Sequence, residues 1–392
     1  MDAVAVTTEP ESPSRSRWNV LRWQAGVGSF GVPQAAAPIA FGLVALPLTG
    51  SAESGAAMVF AMTLAQVIGA VPMSRVGRRF NAVHYLRVLI AIRTLALAAV
   101  TVMAGMAAPF GWLLGMVVVA GFVNGAAYGC QRLLLNYLVE PSAMPRALGI
   151  AATLNEVTFA LAPVIASLLG AVSPVWALAA LTVLGAGPLF VMPRIPQARA
   201  VAPSGPRDAR EPLQARVYLW LFCAAAGAAA VAAVEVGAVS FALAFDLEPG
   251  WAFLFASVLC AGSITGGVWV SIRNRMLVGW QVALSLTVST AASTTILLSA
   301  YIGLTFVGAF ARGFCLPVLG TFFSLALDEL APADRRAEVF ALLRTSSSIG
   351  VIIISGVLAV AGLQAALGTS VALIAAASIC VILQVSLTRA QR

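Results

Sequence analysis

The sequence predicts an all-α membrane protein with about twelve transmembrane helices, arranged as two pseudo-symmetric halves of six. Hydrophobic residues make up 60% of its 392 residues, charged residues make up 10%, and the mean hydropathy is +0.96. No soluble fold of this length hides so much apolar surface. The apolar runs are long and continuous, whereas membrane β-strands would alternate apolar and polar residues. The basic residues are scattered between these runs, as positive-inside topology requires.

Composition also excludes several classes of function. All 23 basic residues are arginine, so the chain has no lysine for a P-loop or for a Schiff base with retinal or pyridoxal. His84 is the single histidine, which rules out paired haem ligands and a multi-histidine metal site. The five cysteines are dispersed in apolar segments and are expected to act as small hydrophobes. We therefore expect no enzymatic activity, no cofactor, no metal and no nucleic-acid partner.

A membrane-spanning helix needs roughly 20 apolar residues, and about twelve runs approach or exceed that length. Residues 1–22 are polar and lack the apolar core of a signal peptide, so a disordered cytoplasmic tail is expected. Residues 193–215 are rich in proline and arginine, which predicts a flexible linker between an N-terminal half, 23–192, and a C-terminal half, 216–388. The predicted spans are 24–48, 56–73, 82–106, 111–138, 147–171, 174–192, 217–245, 251–270, 279–298, 300–328, 338–363 and 366–387.

The arginines orient the chain. Connections on the side of the N-terminus carry arginine, whereas those on the opposite side carry none and include Glu53, Asp246 and Glu248. Because cytoplasmic connections are enriched in arginine, both termini and the linker are predicted to be cytoplasmic, in a multi-pass protein of the cell inner (plasma) membrane. Apart from those of the linker, the arginines concerned are Arg75, Arg78, Arg79, Arg146, Arg273, Arg275, Arg335 and Arg336.

Residues 70–79, between the second and third spans, form an apolar stretch that ends in three arginines within five residues. The stretch resembles the signature loop of the major facilitator superfamily, Gly-x-x-x-Asp-Arg-x-Gly-Arg-Arg. Ala70 replaces the first glycine of that pattern, and Ser74 replaces its aspartate, which usually helps to latch the inward and outward states. We expect Gly77 to supply a backbone conformation that a residue with a Cβ would resist. The matching residues are Arg75, Gly77, Arg78 and Arg79, and together with Ser74 they form the predicted gating loop.

The two halves also repeat. The fourth span leaves the membrane through Glu140–Ala147 and the tenth through Leu330–Ala337, and Arg146 and Arg336 stand 190 positions apart in these exits. The loop motif recurs in the second half at Gly267–Arg275, a few residues out of phase. Two parallel six-helix halves are the arrangement of the superfamily, so the resemblance covers nearly all of the chain.

Polar residues deep in a bilayer are costly and are therefore candidates for function. Glu156 lies near the middle of the fifth span, and Glu235 lies late in the seventh. An apolar environment favours the protonated carboxyl group, so we predict Glu156 and then Glu235 as proton-coupling residues. The alternative role of each is structural, as an acid that bonds to a neighbouring helix. The predicted substrate-cavity residues are Gln34, Asn124, Tyr128, Asn155 and Arg312, and their alternative role is hydrogen bonding or ion pairing between helices.

The resemblance implies a secondary transporter that exports a small organic compound in exchange for protons by alternating access. The stretch ending at Ala162–Pro163 resembles the Gly-Pro motif that exporters of the superfamily carry in this helix, with most of the glycines missing. The fourth span lacks the arginine that drug exporters usually have there. Two alternatives remain open: an importer or uncoupled facilitator of a nutrient, and a non-transporting receptor or assembly partner. The expected partners are the substrate, protons and membrane lipid, and the chain is expected to be a monomer.

Overall fold

The structure is a computed structural model that describes residues 16–77, 79–140, 144–195, 213–273, 277–298, 301–331 and 336–390. The regular elements in these ranges are helices. Their bounds are α1 Arg17–Thr49, α2 Glu53–Gly77, α3 Ala82–Gly105, α4 Phe110–Leu138, α5 Met144–Val172, α6 Pro174–Gly185, α7 Pro188–Val191, α8 Ala215–Glu235, α9 Ala238–Ala244, α10 Phe253–Arg273, α11 Gly279–Leu298, α12 Ile302–Leu330 and α13 Arg336–Ala390, with a short 3-10 turn at Pro249–Ala252 before α10.

Ten stretches of the described chain are long and apolar enough to cross a membrane. The last of them, Leu342–Leu387, has 46 residues, which as a helix is about twice the thickness of a bilayer core. Its helix, α13, is broken at Gly362, where φ is 79° and ψ is −178°, a conformation that essentially only glycine adopts. The stretch therefore provides two crossings, and the apolar Val157–Val172 of α5 provides another, in agreement with the predicted number of about twelve.

Several element boundaries differ from the prediction. Helix α1 begins at Arg17, inside the predicted tail, because the Ser16 hydroxyl accepts from the Trp18 amide at 3.3 Å and caps the first turn. The predicted span 217–245 is divided at Gly237, between α8 and α9. Residues 1–15, Arg78 and the middle of the linker, 196–212, lie outside the described residues.

The apolar side chains form cores that differ at the two ends of the bundle. We call the end where α7 ends and α8 begins the linker end, and the opposite end the far end. At the far end one core joins helices from both sides of the linker, including Phe41 of α1 and Phe255 of α10. At the linker end there are two cores, one around Leu134 of α4 and one around Leu327 of α12. The helices before and after the linker are therefore packed together at the far end and have separate cores at the linker end.

Glycines bring two pairs of helices into backbone contact. A Cβ atom added at Gly121 of α4 would lie 2.2 Å from the carbonyl oxygen of Met62 in α2, and one added at Gly313 of α12 would lie 2.0 Å from that of Leu259 in α10. Helix association in membranes depends on such small residues because lipid tails are as apolar as the helices themselves. The α2–α4 and α10–α12 crossings are thus built in the same way.

Candidate functional site

A cavity of about 420 Å³ lies near the linker end, beside the core around Leu134. Its volume is within the range of about 300–1,000 Å³ that is typical of small-molecule sites. Helices α1, α4 and α5 supply most of the wall, and α13 contributes one residue from beyond the linker, so both parts of the chain line it. The lining residues are Trp23, Val27, Phe30, Gly31, Gln34, Tyr128, Gln131, Arg132, Ala151, Asn155, Phe159 and Arg344.

The polar part of the lining is rich in hydrogen-bond donors. Arg132 is exposed and donates to Asn136 Oδ1 of its own helix at 3.2 Å. Gln131 is only 3% exposed, and its Nε2 has no hydrogen-bond partner among the described residues, which is a costly state for a buried amide. The described lining contains two guanidinium groups, those of Arg132 and Arg344, and no aspartate or glutamate.

Aromatic rings form the apolar part of the lining and hold some of its polar groups. The Arg344 guanidinium carbon lies 3.5 Å from the centroid of the Tyr128 ring, a cation–π contact between α13 and α4. The Tyr128 ring packs against Phe30 with centroids 6.4 Å apart. The indole Nε1 of Trp23 donates to the Gln131 carbonyl oxygen at 2.8 Å, which fixes the start of α1 to the end of α4.

Three of the five predicted cavity residues, Gln34, Tyr128 and Asn155, lie together in this lining. The other two are held elsewhere. Arg312 is 1% exposed and donates to Ser289 Oγ at 3.1 Å. Asn124 is buried and donates through Nδ2 to Gln66 Oε1 at 2.7 Å. Both side chains join helices rather than line the cavity described here.

Arg93 is a second buried arginine, which the sequence interpretation missed. It is 4% exposed and lies over the Phe30 ring, 4.3 Å from the centroid. Its guanidinium donates to the Phe30 carbonyl oxygen at 3.2 Å, to Asn124 Oδ1 at 2.9 Å and to the Gly185 carbonyl oxygen at 2.7 Å. The signal was present, because Arg93 stands in the middle of an apolar span, as Arg312 does.

The predicted gating loop is mostly helical. Helix α2 continues through Gly77, and Ser74, Arg75 and Arg79 are exposed. Gly77 does not have a positive φ; instead, a Cβ atom there would lie 2.5 Å from the Tyr85 ring. The expected reason for this glycine was therefore wrong, and its role is to admit an aromatic ring.

Residues of α2 and of the turn that follows it hold the Tyr85 ring in place. Its hydroxyl donates to the Met73 carbonyl oxygen at 2.6 Å, and the ring stacks on Phe80. Asn81 caps α3 by accepting from the Val83 amide at 2.9 Å, and its Nδ2 donates to the Ile195 carbonyl oxygen at 3.0 Å. The turn between α2 and α3 is thereby fixed to the start of the linker.

A sequence profile described as the Major Facilitator Superfamily matches residues 26–355, most of the chain and all of the cavity lining except Trp23. The chain belongs to the major facilitator superfamily. No curated protein matches it by sequence.

Solved structures of superfamily transporters share its fold. A bacterial homologue of the iron transporter ferroportin, in an inward-facing state, superposes with a TM-score of 0.72 at 13% identity and covers 95% of this chain and 99% of its own. The nucleoside transporter NupG gives 0.67 at 12% identity over 94% and 98%. A bacterial homologue of the human lysosomal transporter Spinster, inward-facing and unoccupied, gives 0.63 at 15% identity over 95% and 97%. At these identities the likeness concerns the fold alone.

The two acids predicted to couple protons lie at different depths of this superfamily fold. Glu156 lies in α5 between Asn155 and Phe159, both of which line the cavity, but its side chain is outside the described part. Glu235 is the last residue of α8 and is partly buried. Its neighbours Val234 and Val236 belong to the core of the far end, so Glu235 stands apart from the cavity.

Proposed function

We propose that this protein is a secondary transporter that carries a small organic compound across the membrane by alternating access. The observation that carries the proposal is the cavity, which is lined from both sides of the linker and lies where the cores separate. If the two sets of helices rock about their contact at the far end, the cavity closes at the linker end and opens at the other. The arrangement described here is then the inward-facing one.

The direction and energy source complete the proposal. The arginine-rich connections support a cytoplasmic linker end, and we propose on that basis that the cavity faces the cell interior. We propose export driven by proton entry, with Glu156 as the main proton carrier and Glu235 as the second. The two six-helix halves, 23–192 and 216–388, are the moving bodies in this scheme. Two observations support this division into halves: the repeated exit sequences, and the matching glycine contacts of α2–α4 and α10–α12.

The test of transport is a substitution that fills the cavity. Ala151→Trp places an indole in the cavity lining, whereas Leu161→Trp adds the same group at an exposed position of the same helix. We expect Ala151→Trp to reduce transport about tenfold or more, because the bulk occupies the substrate volume, and Leu161→Trp to leave it unchanged.

The measurement is the movement of a chemically diverse compound mixture into or out of proteoliposomes under an imposed pH gradient, followed by mass spectrometry. Compounds that move with the wild-type protein and stop with Ala151→Trp identify the substrate class and the direction. If no compound distinguishes wild-type vesicles from empty ones, the transport proposal fails and the alternative of a non-transporting partner protein gains support.

The turn after α2 yields a further prediction. A leucine at Gly77 displaces the Tyr85 ring, because even a Cβ atom would lie 2.5 Å from it, and so loosens the joint between α2 and α3. If this joint sets the balance of inward and outward states, Gly77→Leu should slow initial transport several-fold while folded protein stays in the membrane. Gly303→Leu is the matched control, because no atom of the described residues lies within 4 Å of a Cβ added there. Equal transport rates in both variants would show that the turn has no role in the balance of states and serves only to orient the chain in the membrane.

A further inference from the structure

We propose that the substrate is an organic anion, with a carboxylate, sulfonate or phosphate group on an aromatic or apolar body. This inference rests on the proposed transport function and adds the chemical class. Its basis is the placement of two guanidinium groups, Arg132 of α4 and Arg344 of α13, in one cavity with the buried Gln131 amide. That amide donor has no partner in the part of the chain that the structure describes. The three donors belong to one binding volume and come from both sides of the linker.

The charge of the lining favours an anion. The contacts described for the two guanidinium groups are with neutral partners: Arg132 with Asn136 Oδ1, and Arg344 with the Tyr128 ring. Charged groups in a partly enclosed space interact through a lower effective dielectric than in water. Two cations with no carboxylate in the described lining therefore attract an anion and repel a cation. Glu156, beside Asn155 in α5, is the acid nearest in sequence to this lining, and it is neutral when it carries a proton.

The geometry of the donors suits an anionic group with several acceptor atoms. Guanidinium groups bind carboxylate and phosphate through parallel hydrogen bonds, and the Gln131 amide adds a neutral donor. Gln34 and Asn155 supply further amides. The rings of Trp23, Phe30, Tyr128 and Phe159 leave an apolar wall for the rest of the molecule, which favours an aromatic or aliphatic body over a small inorganic ion.

The same arrangement explains how binding an anion favours closure. Arg344 lies on the C-terminal side of the linker, and its cation–π partner Tyr128 and the second cation Arg132 lie on the N-terminal side. An anion held by both arginines bridges the two sets of helices at the end where their cores are separate. It also offsets the repulsion between the two guanidinium groups, so the closed state is stabilised only when the site is filled.

The test uses three probes of equal shape: 2-naphthoate, 2-naphthamide and 2-naphthylmethylammonium. Binding is measured by calorimetry on the full-length protein in lipid nanodiscs, and transport of the same probes is measured in proteoliposomes. We expect the naphthoate to bind about tenfold or more tightly than the amide, because its contacts to arginine are charge-assisted, and the ammonium to bind weakest. Arg132→Gln and Arg344→Gln should each weaken naphthoate binding about tenfold and leave amide binding unchanged.

Arg273→Gln is the matched control, since Arg273 also lies over an aromatic ring, Trp269 at 5.0 Å, but outside the cavity. Equal binding of naphthoate and amide, a preference for the ammonium, or wild-type naphthoate binding in both cavity variants would overturn the inference. The inference would also be overturned if the protein transported another compound and bound none of the three probes. Selective naphthoate binding without transport of any compound would instead keep the anion site and refute the transport function.

Discussion

Gly313→Val is expected to remove most of the folded protein from the membrane. The added Cβ atom would lie 2.0 Å from the Leu259 carbonyl oxygen and 3.0 Å from the Ser263 amide nitrogen. Both are backbone atoms of α10, so no side chain can rotate away, and the two helices must separate along their contact. Overpacking of this kind costs about 1–3 kcal/mol or more even where side chains can yield.

Gly320→Val is the control, because Gly320 lies in the same helix with no atom within 4 Å of its added Cβ. Both variants replace a helical glycine by the same valine, with the same change in intrinsic helix propensity, so the difference between them isolates the interhelical contact. The measurement is the amount of monodisperse protein after extraction in mild detergent, together with its melting temperature. Equal yield and equal melting temperature for the two variants would show that α10 and α12 tolerate wider spacing.

The α2–α4 crossing provides the corresponding pair in the first half. A Cβ at Gly121 would meet the Met62 carbonyl oxygen at 2.2 Å, while Gly129 in the same helix meets nothing within 4 Å. The proposed repeat requires that α2 and α4 correspond to α10 and α12. Gly121→Val should therefore lower the yield and the melting temperature relative to Gly129→Val, as Gly313→Val does relative to Gly320→Val.

The fold was predictable because crossing a bilayer imposes a length on every apolar segment. The same rule placed a boundary between the spans 338–363 and 366–387, where the structure breaks α13 at Gly362. Helix ends were less predictable. Hydropathy marks where the chain leaves the hydrocarbon, but a helix can continue into the headgroup region, where arginines are solvated. Helix α2 does so as far as Gly77, beyond its predicted end at residue 73.

The candidate site was predictable only in part, because hydropathy cannot separate two kinds of polar residue that both avoid lipid. Gln34 and Asn155 line the cavity, whereas Asn124 and Arg312 are buried between helices, and each interrupts an apolar run in the same way. Arg344 was missed for a different reason. It stands near the start of a predicted span, where arginine ordinarily marks the membrane surface, and it becomes a cavity residue only because α13 meets Tyr128 of α4.

The buried arginines show a relation that no sequence comparison of the halves would reveal. Arg93 of α3 donates to Asn124 of α4 and to a carbonyl oxygen of α1. Arg312 of α12 donates to Ser289 of α11 and to the Gly227 carbonyl oxygen of α8. If the halves correspond helix by helix, each arginine joins the first, third and fourth helices of its half. The arginine comes from the third helix in one half and from the fourth in the other.

Glu156 is where the largest functional effect is expected. In the proposed cycle its carboxyl group takes up a proton while it is open to one side of the membrane and releases that proton while it is open to the other. One proton that crosses 100 mV contributes about 2.3 kcal/mol, and one pH unit adds about 1.4 kcal/mol. Together they can sustain a gradient of about 500-fold for an uncharged compound. For the monovalent anion proposed above, exit of the negative charge from an inside-negative cell adds about another 2.3 kcal/mol. A single titrating group reached from each side in turn is sufficient for this coupling.

Glu156→Gln retains the size of the side chain and removes its proton exchange, so uphill transport should be lost while downhill exchange of substrate between the two sides continues in part. Glu235→Gln is the comparison. It is expected to reduce uphill transport less, because Glu235 ends α8 beside Val234 and Val236 of the far-end core, away from the cavity. Both are measured in proteoliposomes as accumulation under a pH gradient and as counterflow without one. If Glu156→Gln still concentrates substrate, Glu156 is structural. Loss of accumulation in Glu235→Gln alone would then move the proton site to the end of α8, and accumulation in both variants would exclude these two carboxylates from the coupling.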